Sequence, residues 1–429
     1  MGSISTNPRA TSQEPSAAGP TMLQPLRLRD FRLVFSGESV SLIGDGFYLV
    51  ALAWLALELT GSGLVLGTVL MVAAVPRAVF MLLGGALSDR LSPRTVMLVS
   101  NALRAVVVGI VAALVLTGNA RLWELYVLAA IFGVVDAFFH PALNTIVPML
   151  VGGRLLAPAN ALVQIMQQLS GLIAPAIAGI VVAAVQTGPA FAVDAASFAV
   201  AATALTFVRG GRRAAKAEAN PQGGLLANIG SGLAYAWRDP AVRSLLLLVA
   251  AFNFALTGPI AVGLPYLAET QYAGGAALFG VMVSAFGAGA LAGAVLAGSV
   301  KRVPRLGLVT MLTAIGMGIG LALIGLAPNV GVALAGMLAI GIGAGFTKVR
   351  IIAWLQQRTP AALRGRVMSL VLLGAVGLAP FSLAVSGAII DLGAVSLMFT
   401  LAGAIVAAAA VAGLFAGVPA QMTDRPQHE

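Results

Sequence analysis

An all-α membrane protein, with twelve transmembrane helices in two pseudo-symmetric six-helix bundles, is the fold class this sequence of 429 residues predicts. Three observations lead there. The chain is built of membrane-length apolar runs, its basic residues crowd into one set of loops, and its two halves echo each other. Hydrophobic residues make up 59% and charged residues 9%, with a mean hydropathy of +0.98. A water-soluble chain of this size carries far more charge. Backbone groups cannot stay unpaired in lipid, and the runs lack the short alternation of barrel strands, so they are predicted to be helices.

A bilayer core needs about 20 apolar residues per helix. Twelve runs meet that length: 31–59, 63–88, 94–117, 122–147, 159–185, 188–208, 243–268, 275–299, 306–327, 329–352, 366–390 and 393–417. Residues 1–30 are expected to form a disordered cytosolic tail without a cleavable signal, because the segment is polar and broken by Pro8, Pro15, Pro20 and Pro25. Six runs follow (31–208), then a long central cytosolic loop (209–242), six more runs (243–418) and a short cytosolic tail (419–429). Within the central loop, the stretch Leu225 to Trp237 has the composition of a helix lying on the membrane surface.

The net charge of +10 is explained by placement. Arg27 and Arg29 precede the first run and Arg32 lies at its start, Arg90 lies between the second and third with Arg94 opening the third, and Arg209, Arg212, Arg213 and Lys216 fill the central loop. Lys301, Arg302 and Arg305 follow the eighth run, and Arg358, Arg364 and Arg366 the tenth. With twelve spans all of these share one side, and the opposite loops receive only Arg121. This positive-inside bias places both termini in the cytosol and leaves nothing for nucleic acid to explain. The absence of Cys excludes disulfides and thiolate metal sites, and two His residues make a metal centre improbable on composition. The high Arg:Lys ratio fits a GC-rich bacterial source, hence the bacterial inner membrane.

The halves share landmarks. The second run ends Gly84-Gly85-Ala86-Leu87-Ser88-Asp89-Arg90, and the eighth ends Ala297-Gly298-Ser299-Val300-Lys301-Arg302. The fifth contains Gly171 and Ala174-Pro175, the eleventh Gly377 and Ala379-Pro380. A duplicated six-helix unit of this kind is the plan of two-lobed secondary transporters, whose substrate site lies near mid-bilayer between the lobes.

The stretch Gly85-Ala86-Leu87-Ser88-Asp89-Arg90, followed by Arg94, resembles the loop signature of the major facilitator superfamily. Three other stretches resemble a branch of that superfamily, drug exporters of the macrolide-efflux and enterobactin-exporter type. They are Phe31-Arg32-Leu33-Val34-Phe35 with Ile43-Gly44-Asp45-Gly46, then Phe139-His140-Pro141-Ala142, and Arg364-Gly365-Arg366-Val367-Met368. The resemblance covers about residues 30–418. It implies that runs 1, 4, 7 and 10 line a central cavity, with run 5 beside run 1. It also implies that Gly85, Asp89, Arg90 and Arg94, facing a helix near Arg366, form a conformational gate. An Asp at the positive end of a helix gains a charge–dipole contact that breaks when the halves rock. Two departures stand out. Run 4 lacks the mid-helix Arg of many drug/proton antiporters, and the run-5 antiporter motif survives only as Gly171, Pro175 and Gly179.

Ionisable groups in the bilayer core cost at least about 2.5–3.5 kcal/mol and therefore mark function or a specific partner. Run 1 presents Glu38, Ser41, Asp45 and Tyr48 on one face. Run 4 presents Asp136, His140 and Asn144, run 5 Gln164, Gln167 and Gln168, and run 7 Asn253 and Thr257. At about 1.5 Å per residue, Asp45 lies ~21 Å into run 1, while Arg77 and Asp136 lie ~18 Å from the cytosolic ends of theirs. These three share a level, and Arg77 is expected to be the charge partner of Asp45 or Asp136. Asp45, Asp136 and Glu38 are the candidates for proton coupling. For Asp45 and Asp136 the alternative is a purely structural pairing with backbone or Arg, and for the glutamines interhelical hydrogen bonding. Arg104 is expected to snorkel to the cytosol, and Asp194 and Glu124 to sit at the opposite interface.

Gly316-x-Gly318-x-Gly320 and Gly341-x-Gly343-x-Gly345 imitate nucleotide loops, but they lie inside apolar runs with no strand before them and read as packing glycines. No Gly-Lys pair exists for a Walker A loop, and no catalytic set is visible, so no enzyme is expected. The expectation is a monomeric, proton-driven exporter of small amphipathic or hydrophobic compounds, of drug, macrolide or siderophore type, working without a cofactor by alternating access. An uptake or lipid-flipping permease on the same fold, and a non-transporting sensor or scaffold, are the alternatives.

Overall fold

The structure is a computed structural model that describes residues 21–88, 92–210, 234–300 and 303–422. The first half holds α1 (Arg29–Thr60), α2 (Gly63–Ser88), α3 (Pro93–Leu116), α4 (Leu122–Val151), α5 (Leu156–Val185) and α6 (Thr187–Thr206). The second half begins with α7 (Pro240–Gly258), which runs through a π turn at Pro259–Gly263 into α8 (Leu264–Thr270). There follow α9 (Gly275–Ser299), α10 (Leu306–Gly325), α11 (Val330–Arg358), α12 (Ala361–Val376), α13 (Ala379–Asp391), α14 (Val395–Phe415) and the short α15 (Val418–Gln421). With α7–α8 and α12–α13 each counted as one span, twelve spans among the described residues are long and apolar enough to cross a bilayer.

Both broken spans have a chemical cause. Pro259 and Pro380 have no N–H to continue the helical ladder, so α7 widens into a π turn and α12 gives way to α13 at Gly377–Leu378. Ser382 repairs the first break from the second. Its hydroxyl accepts from the Gly258 N–H at 2.8 Å and donates to the Phe254 carbonyl.

Helix ends are held by charge. Asp239 caps α7, accepting from the N–H groups of Ala241 (3.0 Å) and Val242 (3.3 Å), and takes a 2.8 Å bond from Arg358 Nε at the end of α11. The Glu124 carboxylate accepts from the Arg121 N–H at 2.6 Å and closes the first turn of α4. Asp30 accepts from the N–H groups of Arg209 and Gly210, which ties the start of α1 to the chain leaving α6.

The two halves meet along two seams, α5 against α9 and α2 against α13. Both are made by small residues. A Cβ on Gly280 would strike the Pro175 carbonyl, one on Gly179 would lie 2.5 Å from the Ala276 carbonyl, and one on Gly287 2.9 Å from the Gly171 carbonyl. In the other seam, a Cβ on Gly67 would lie 2.5 Å from the Leu383 carbonyl and one on Gly387 2.6 Å from that of Gly63. These approaches run along the ends of the helices near the α1–α2 turn, away from the face where α1 begins. At their tip, Asp391 accepts from Ser62 Oγ (2.6 Å) and the Leu64 N–H (3.1 Å), so the last residue of α13 caps the first turn of α2.

Candidate functional site

Inside the first half, ionisable side chains from five helices converge. Arg104 of α3 is their hub. Its Nη2 donates to Asp136 Oδ1 on α4. Its guanidinium carbon lies 4.8 Å from the ring centre of Phe139 and 5.3 Å from those of Phe132 and Phe198, a cage of three aromatic faces. The other Asp136 oxygen faces Arg77 of α2, whose Nη1 is 3.8 Å away. Arg77 is 40% exposed, so this side of the cluster is open, whereas Arg104 is shut in.

The helix α1 supplies the acids. Glu38 is buried and accepts from Asn101 Nδ2 of α3 at 3.2 Å. Asp45, two turns on, stands in the field of Arg104, Asp136 and Arg77. Tyr48 stacks on Phe132 with ring centres 4.2 Å apart and planes 7° from parallel, and its hydroxyl has no hydrogen-bond partner among the described residues. From α6 comes Asp194, fully buried against Gly44 of α1, where a Cβ would strike Ser197 Oγ and come within 2.6 Å of Asp194 Oδ1.

Two sequence expectations are corrected here. Arg104 does not snorkel. It sits about 16 Å into α3, too deep to reach water, and turns inward to Asp136 and the aromatic cage, only 2% exposed. Asp194 is not interfacial, because α6 packs between α1 and α3 and presents that face to the interior. Neither was legible from the sequence: their partners Phe132, Phe139, Phe198 and Gly44 are scattered across three helices. The one available signal was Phe198 standing one turn from Asp194 on the same face.

Of the remaining named residues, Ser41 is buried on α1, and His140 lies half-buried one turn from Asp136, within its field. Asn144 and Gln164 are exposed, and Gln167 and Gln168 half-buried. Asn253 and Thr257 are turned onto their own helix, with Asn253 Nδ2 donating to the Val249 carbonyl (2.8 Å) and Thr257 Oγ1 to the Asn253 carbonyl (2.7 Å). Gly171, Pro175 and Gly179 form the α5 side of one seam between the halves. Arg94 donates from Nε to the Leu205 carbonyl (2.9 Å) and from Nη2 to that of Thr206 (2.8 Å), capping the end of α6 within its own half. Asp89 and Arg90 lie outside the described residues. Gly85 and Arg366 are described only as parts of α2 and α12.

Twelve apolar spans in two six-helix halves, joined along glycine seams and holding ionisable side chains in their interior, define a multi-pass membrane transporter. Residues 34–381 match the Major Facilitator Superfamily, and the chain belongs to it. Macrolide efflux protein A of Streptococcus pyogenes is 24% identical over 345 residues, which cover 79% of this chain and 84% of that one. Multidrug efflux pump Tap of Mycolicibacterium fortuitum is 30% identical over 211 residues, 48% of this chain and 51% of the pump. Enterobactin exporter EntS of Shigella boydii is 26% identical over 345 residues, covering 79% and 80%. Among solved structures, the nucleoside transporter NupG superposes with a TM-score of 0.73 at 14% identity, covering 91% of this chain and 99% of NupG. A bacterial homologue of the lysosomal transporter Spinster gives 0.67 at 13%, covering 94% and 99%.

Proposed function

We propose that this transporter exports small amphipathic or hydrophobic compounds from the cytosol in exchange for protons, by alternating access, in the bacterial inner membrane with both termini cytosolic. The carrying observation is the charge balance around Arg104. Glu38, Asp45 and Asp136 face two guanidinium groups, Arg77 and Arg104. An unmatched buried charge is costly, so one carboxyl of the three must take up a proton whenever the cluster is shut off from water. Asp45 is the exchangeable member, because Asp136 is committed to Arg104 and Glu38 to Asn101.

The drug-like substrate class is supported by the relatives that export macrolides, multiple drugs and enterobactin. With the termini inside, the glycine seams and the Asp391 contact hold the halves together on the outer side. Halves joined on the outer side suit the loading of an exporter from the cytosol. The gate assigned to Gly85, Asp89, Arg90, Arg94 and Arg366 is part of the same proposal, and Arg94 contributes by fixing the end of α6.

A drug-susceptibility panel, run in cells lacking and overexpressing the gene with and without an uncoupler, tests the reading. Overexpression raises resistance to some macrolides or lipophilic cations, and the uncoupler abolishes the gain. Increased sensitivity on overexpression would mean uptake. A gain that survives the uncoupler would remove the proton.

A further inference from the structure

One buried acid has no part in the exchange just described. Asp194 is 0% exposed, and neither of its carboxylate oxygens has a hydrogen-bond partner among the described residues. The nearest hydroxyl, Ser197 Oγ, bonds the Asp194 backbone carbonyl at 2.7 Å and is the single neutral donor within reach of the carboxyl. The Gly44 face of α1 presses on the carboxyl and offers no donor. The charged and titratable groups facing it are Asp45 and Tyr48 from α1 and Arg104 from α3, while α5 carries no ionisable residue. Arg104 is already spent on Asp136, and Tyr48 keeps a free hydroxyl inside the same pocket. A buried carboxylate with at most one neutral donor and no cation of its own is not a tolerable occupant of such a site. By its contact with Gly44, the residue before Asp45, Asp194 lies at the level of Asp45.

We propose that Asp194 is a second proton-binding site of the transport cycle, so that the first half takes up two protons per turnover, one at Asp194 and one at Asp45. Tyr48, with its unpartnered hydroxyl, is the relay between the two carboxyls. The proposal rests on the proton-exchange reading and adds to it a site and a stoichiometry.

Two measurements on the full-length protein test it. Infrared difference spectra between acidic and alkaline buffer show the C=O stretch of protonated carboxyls. Wild type is expected to show a component that Asp194→Asn removes and Asp194→Glu moves, whereas identical spectra for wild type and Asp194→Asn overturn the assignment. In proteoliposomes with the membrane potential clamped to zero, ethidium serves as a probe that carries no exchangeable proton of its own. Its limiting gradient should rise as the square of the proton ratio in wild type and as the first power in Asp194→Asn. A square dependence kept by Asp194→Asn overturns the second site and leaves proton exchange intact. A wild-type gradient that ignores the proton ratio sinks proton exchange itself, and the infrared comparison then still decides whether Asp194 holds a proton.

Discussion

Arg104 concentrates the energetics of the site in one side chain. Its guanidinium is desolvated, flanked by three rings and paired with Asp136, so its removal leaves the half-buried Asp136 to the more distant Arg77. Arg104→Met should cost about 1–3 kcal/mol, read as a lower midpoint in thermal unfolding of the detergent-solubilised protein. Arg104→Lys should recover little of it, because an ammonium group cannot spread flat against ring faces. Adding Asp136→Leu to Arg104→Met should restore stability but not proton-driven transport. Full stability of Arg104→Met alone would show that the pair carries no structural weight. Gly44 is the second sensitive position. Gly44→Ala drives a methyl into Ser197 and the Asp194 carboxyl and should destabilise by about 1–3 kcal/mol, whereas an unchanged midpoint would mean that α1 and α6 slip apart freely.

The seams between the halves hold them at backbone contact. Glycines lie against carbonyls of the facing helix at Gly67, Gly179, Gly280 and Gly387. A bulkier residue there cannot be absorbed by a side-chain rotation, because the obstacle is backbone. Gly280→Val together with Gly67→Val should therefore push the halves apart near the α1–α2 turn. The chain has no Cys, so single spin-labelled pairs can be placed without background. Distances between labels at the ends of α2 and α13 should lengthen in the double variant, and shorten or stay fixed if the seams are incidental. Asp391→Asn should produce a smaller shift in the same direction, since it weakens the charge–dipole cap on α2 while leaving the glycines in place.

At this scale most of the architecture was readable in the sequence. The runs 63–88 and 275–299 coincide with α2 and α9, because apolar length and flanking loops decide where a spanning helix lies. What the runs did not show was internal interruption. The tenth run was expected to stop at 352, yet α11 continues to Arg358, where Arg358 lies over Trp354 at 5.2 Å and bonds Asp239. The breaks at Pro259 and Pro380 are tolerated only because Ser382 reaches across from a distant span. The site divides the same way. Asp45, Asp136, Glu38 and Arg77 announced themselves by charge at mid-depth, a one-dimensional property. Arg104 and Asp194 also carry charge, but only the packing of α3, α4 and α6 reveals that they point inward.

For the molecule as a whole, the buried charges among the described residues lie in the first half, while in the second half Asn253 and Thr257 satisfy themselves on their own helix. On the proposed reading, that asymmetry puts proton handling in one lobe and lets the other move against it along the glycine seams. The most direct test is proton-driven ethidium transport in proteoliposomes by wild type, Asp45→Asn and Asp136→Asn, with correct folding verified by thermal unfolding. Loss of at least about tenfold in the pH-driven rate, a barrier change of ~1.4 kcal/mol, is predicted for Asp45→Asn and for Asp136→Asn. Full pH-driven transport by both variants would contradict the assignment of the coupling proton to this cluster.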